Sequence, residues 1–91
     1  MAVIVRIPTT LRPLSAGEKQ VEVAAGALSD VITALEGAYP GFADRLLDEN
    51  GDLRKFVNIF VDDDDVRYLD GLSTPAADGV TVSIIPAVAG G

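Results

Sequence analysis

Residues 26–41 read GALSDVITALEGAYPG, and within them the apolar positions stop alternating and begin to recur at helical spacing. Leu28, Val31, Ile32 and Leu35 stand at i, i+3, i+4 and i+7, which is one stripe along an α-helix. Gly37, Pro40 and Gly41 close that helix. A helix with one apolar stripe has to bury it, so the question passes to what the flanking sequence offers.

On the N-terminal side the period is two. In AVIVRI, residues 2–7, Val3, Val5 and Ile7 share one face, while Ile4 and Arg6 share the other. Pro8, Pro13 and Gly17 interrupt the chain, and QVEV then resumes alternation with Val21 and Val23 on one side. These two runs predict a hairpin with a wide loop.

On the C-terminal side, FADRLLDE predicts a short second helical turn, in which Phe42, Leu46 and Leu47 cover the edge of the core. KFVNIFV follows, with Val57, Ile59 and Val61 alternating against Phe56, Asn58 and Phe60. The run Asp62–Asp65 and then VRYL read as a second hairpin around an acidic turn. STPAADG separates it from VTVSII, where Val80, Val82 and Ile84 share a face. The expected fold class is α+β, with about five strands in a mixed sheet and one main helix packed on one face. The first and last strands, being the most continuously apolar, are expected side by side at its centre.

Composition bounds the chemistry. Ninety-one residues suit one small domain, and 48% hydrophobic residues are enough for its core. The absence of cysteine and histidine removes disulfides, thiolate nucleophiles, imidazole bases and the usual zinc ligands, so an enzyme in its own right is not expected. Seven basic against fourteen acidic residues give a net charge of -7, which repels nucleic acid and anionic membranes. MAVIVRI is too short and too charged for a signal peptide, so the expected location is cytoplasmic and the free protein is expected to be a monomer. Asp62 to Asp65 lack the spacing and glycine of a calcium loop and read as a solvated turn, and no metal site is expected.

The sequence closes on SIIPAVAGG. Pro86 cannot donate to a sheet ladder and marks where the last strand ends, dividing a folded unit, 1–86, from a tail, 87–91. Five residues span at most about 17 Å, and Gly90 and Gly91 have no Cβ to obstruct a narrow channel. Ile4, Phe60 and Ile85 lie opposite the core-facing positions of their strands and form a possible docking patch for partners. Arg6, Arg12 and Arg67 either steer an acidic partner or simply solvate that second face, the latter being the simpler reading.

This ending, attached to FVNIFVDDDDVRYLDGLSTPAADGVTVSI and preceded by IPTTLRPLSAGEKQVEV and LSDVITALEGAYPGFADRLLDENGDLRKFVNI, resembles the MoaD/ThiS family of ubiquitin-like sulfur carriers. Within that family the likeness is to the CysO-type carriers of cysteine biosynthesis. Asp62 departs from the family's pattern, where Asn is expected. The resemblance implies a β-grasp fold for residues 1–86 and a protein co-substrate whose sulfur-carrying group is a thiocarboxylate on Gly91. Gly90, Ala89, Val88 and Ala87 would give that terminus access to partner sites. An E1-like enzyme would adenylate the carboxylate with ATP, the chain binding no cofactor itself. A PLP-dependent cysteine synthase using O-phosphoserine would take the sulfur, and a JAMM-type zinc metallopeptidase would release the product. Sulfur delivery to molybdopterin, thiazole or another thio-metabolite remains open at this point. So do a ubiquitin-like modifier and a plain interaction domain with an inert tail.

Overall fold

The computed structural model describes residues 2–86, and in it the change of period at Leu28 is the change from sheet to helix. Strands β1 (Ala2–Arg6) and β2 (Gln20–Ala24) precede a short β3 (Gly26–Ala27) and helix α1 (Leu28–Ala38). Helix α2 (Phe42–Leu46), β4 (Val57–Val61), β5 (Asp64–Asp65), β6 (Pro75–Ala76) and β7 (Thr81–Pro86) follow. The main sheet has five strands in the order β2-β1-β7-β4-β5, and β3 pairs with β6 apart from it. As expected from their composition, β1 and β7 are neighbours, and they run parallel with Val5 level with Val82. β1 with β2, β4 with β7 and β4 with β5 are antiparallel.

Alternation in the strands puts one face of the sheet on the helix. Val3, Val5, Ile7, Val21, Val23, Val57, Ile59, Val82 and Ile84 are buried, and so is the whole α1 stripe of Leu28, Val31, Ile32 and Leu35. Phe42 and Leu46 of α2 are fully enclosed, so this short helix is part of the core and not only its edge, whereas Leu47 is half-buried. The two helices are fastened at their corner by Glu36. Its Oε1 accepts hydrogen bonds from the Gly41 N–H at 3.0 Å and the Ala43 N–H at 2.8 Å, both in the turn that opens α2.

The structure corrects the sequence reading in four places. Helix α1 runs through Gly37 to Ala38; the reversal comes instead at Gly41, whose φ of +113° is in the region where side chains are strained. The loop between β1 and β2 holds a 3-10 turn, Thr9–Ser15, that buries Leu11 and Ser15. The β3–β6 pair was not anticipated, because two-residue strands have no readable period. VRYL is not a strand: Val66–Tyr68 is a 3-10 turn, and the strand that returns against β4 after the acidic turn is Asp64–Asp65 alone. The reason is local. The Asp65 carboxylate accepts the Arg67 N–H at 2.9 Å and turns the chain, which drops Val66 into the core.

Candidate functional site

Because β1 and β7 are parallel, their C-terminal ends open at the same edge of the sheet. Pro86 at the end of β7 therefore lies beside the loop leaving β1. Pro86 is the last residue of β7 and is level with Val57 of β4. Gly91, Gly90, Ala89, Val88 and Ala87, the expected reacting terminus and its access residues, lie outside the described residues.

Around this exit the surface is a groove. Ile7, Pro8 and Leu11 from the end of β1 and its loop line it together with Ile84, Ile85 and Pro86 from β7, and Arg6, Arg12 and Arg45 share that lining. Arg6 and Arg45 are exposed, and Arg12 is half-buried with its Nε donating to the Ile7 carbonyl at 3.2 Å. A second depression shares Arg6, Ile7 and Arg12 and adds Lys19 and Glu18. Four of the chain's seven basic side chains thus gather at one edge of an acidic protein. Sequence reasoning named Arg6 and Arg12 but missed Arg45, which α2 delivers from a distant part of the chain and which no spacing marks.

Ile4, Phe60 and Ile85 all lie on the sheet face away from α1. Ile4 is level with Thr81, Phe60 with Ser83, and Ile85 with Asn58. Phe60 and Ile85 are diagonal neighbours on adjacent strands, while Ile4 is separated from Phe60 by the polar Thr81 and Ser83 of β7. Ile85 is 51% exposed and also lines the groove, so it belongs to both surfaces. Of the three arginines assigned to this face, only Arg6 is on a strand. Arg67 is instead committed to the fold: its guanidinium donates to the Asn58 side chain and to the carbonyls of Arg54 and Lys55.

Asp62 and Asp63 form the turn between β4 and β5. Asp62 has φ of +54°, the left-handed region that Asn and Asp tolerate best, and its Oδ1 accepts the Thr81 N–H at 3.1 Å. An aspartate therefore fills a position suited to asparagine without changing the turn. Among the described residues there is no cluster of three or more potential metal-ligating side chains, and no helix is long and apolar enough to cross a membrane.

A five-stranded mixed sheet with parallel central strands, one main helix across one face and a basic groove where the last strand ends defines a ubiquitin-like β-grasp protein. The chain belongs to the ThiS family, whose model matches residues 5–91. It is 50% identical over the full length of both chains to the sulfur carrier protein CysO of Mycobacterium tuberculosis. A chain in the crystal structure of the Amycolatopsis orientalis BexX/CysO complex superposes with a TM-score of 0.93 at 43% identity, covering 99% of this chain and 100% of that one. Small archaeal modifier protein 3 of Haloferax volcanii is 42% identical over 64 residues, 70% of this chain and 68% of the relative.

Proposed function

We propose that this protein is a sulfur carrier, a co-substrate whose Gly91 carboxylate is exchanged for a thiocarboxylate and whose sulfur goes to cysteine. The observation that carries this reading is the 50% identity to a sulfur carrier protein across the whole of both chains. The chemistry asks for little from the body of the protein. A carboxylate resists substitution, so its oxygen first attacks the α-phosphorus of ATP, releasing pyrophosphate and leaving an acyl adenylate. A sulfide equivalent then attacks the carbonyl carbon and displaces AMP. Both steps belong to an E1-like partner. The thiocarboxylate sulfur then adds to the β-carbon of an aminoacrylate supplied by a PLP-dependent cysteine synthase, giving a thioester. The acyl group shifts from sulfur to the cysteine amine, and a JAMM-type metallopeptidase hydrolyses the resulting amide, freeing cysteine and restoring the Gly91 carboxylate. That the matched Amycolatopsis orientalis chain comes from a BexX/CysO complex supports the reading that this chain too engages a protein partner.

The test is reconstitution with the E1-like enzyme, ATP and a sulfide donor. The full chain is expected to release AMP and acquire one sulfur in place of oxygen, and a chain ending at Ala89 is expected to do neither while folding normally. Adenylation of the truncated chain would overturn the assignment to Gly91. A modifier role has one specific observation in its favour, the 42% identity to a small archaeal modifier protein. It predicts conjugates larger than the free chain, joined through Gly91 to lysine side chains, when the protein is isolated from cells.

A further inference from the structure

The groove at the end of β7 carries a charge opposite to that of the molecule. The chain has a net charge of -7, yet among the described residues the lining of this groove contains Arg6, Arg12 and Arg45 and no carboxylate side chain. Arg6 and Arg45 are exposed, and among the side-chain hydrogen bonds of the described residues neither donates one, unlike Arg54 and Arg67. Beside the arginines the lining is mainly apolar, with Pro8, Leu11, Ile84, Ile85 and Pro86, and its remaining polar residues, Thr9, Thr10 and Ser83, are uncharged. Cations beside a mainly apolar lining suit a ligand that alternates acidic and apolar groups.

We propose that this groove binds an extended acidic segment of the protein that receives the C-terminal tail. The proposal rests on the reading that the terminus is handed to a partner, and adds where that partner first takes hold. Three features select this occupant. The charge is complementary to carboxylates, the apolar part of the lining takes side chains that a bare anion lacks, and the groove adjoins Pro86, after which the tail begins. A nucleic acid would bring its phosphates against the acidic remainder of the surface. The reacting carboxylate is also up to about 17 Å along the chain from Pro86, so the groove acts as a grip and not as the nucleotide site. Opposite charge at such a surface chiefly speeds encounter and fixes register.

The experiment titrates the isotopically labelled full chain with a blocked hexapeptide of alternating glutamate and leucine, monitoring amide shifts. Parallel titrations use the glutamine-for-glutamate peptide and inorganic pyrophosphate. Binding of the acidic peptide is expected to shift Arg6, Ile7, Leu11, Arg45 and Ile85, and to weaken as salt rises. The double variant Arg6→Gln/Arg45→Gln, both exposed positions, is expected to bind it with a Kd raised about fivefold, within the range for exposed ion pairs. A chain ending at Ala89 is expected to bind the peptide normally while losing adenylation, which separates failure of the groove from failure of the carrier reading. Equal binding of the glutamine peptide, equal binding of pyrophosphate at the same residues, shifts elsewhere on the protein, or an unchanged Kd in the double variant would each overturn the proposal.

Discussion

Glu36 shows how much one half-buried side chain can do in a domain of this size. Its carboxylate gathers the free N–H groups of Gly41 and Ala43, which begin α2 with no intrahelical partner. Replacing it by alanine leaves those donors short of acceptors, and Glu36→Ala is expected to destabilise the fold by about 1–3 kcal/mol in denaturant titration. Arg67 is a second such residue. Its fork reaches one side-chain and two backbone acceptors, which a lysine cannot match, so Arg67→Lys should lower stability by about 1 kcal/mol and not restore the wild-type melting temperature. Neither role was legible in the sequence. Glu36 lies on the helix side next to the apolar stripe, and Arg67 in a run that alternates like a strand; their partners are backbone groups, which no residue pattern advertises.

At the scale of elements, whatever had a period of several residues could be read in advance. The α1 stripe, the alternation of β1, β2, β4 and β7 and the adjacency of β1 to β7 all follow from where apolar residues recur. Leu35 is 1% exposed at the C-terminal end of that stripe, and Leu35→Ala is expected to cost about 2–5 kcal/mol, measured by urea unfolding. What lacked a period was missed. The β3–β6 pair is two residues long, and the 3-10 turns at Thr9–Ser15 and Val66–Tyr68 are set by local hydrogen bonds, the first of them around prolines that sequence reading took only as interruptions. VRYL imitates a strand because Val66 is buried, but it is buried from a turn capped by Asp65.

For the whole molecule, the consequence of the topology is positional. Two parallel central strands end at the same edge, so Pro86 lies beside the loop after β1 and beside Arg6, Arg12 and Arg45. The role proposed for the terminus was legible from the sequence only through its resemblance to a family; the surroundings of Pro86 were not, because they are assembled from three separated stretches of chain. Among the described residues the buried core lies within residues 3–84. Truncation after Pro86 is therefore expected to change unfolding free energy by less than about 0.5 kcal/mol, while abolishing activation. The most direct test of the central claim is intact-mass and fragmentation analysis of the protein after incubation with its E1-like enzyme, ATP and a sulfide donor. The carrier account predicts a single oxygen replaced by sulfur, localised to Gly91. An unchanged mass under conditions where AMP is released, or sulfur found at any other residue, would contradict it.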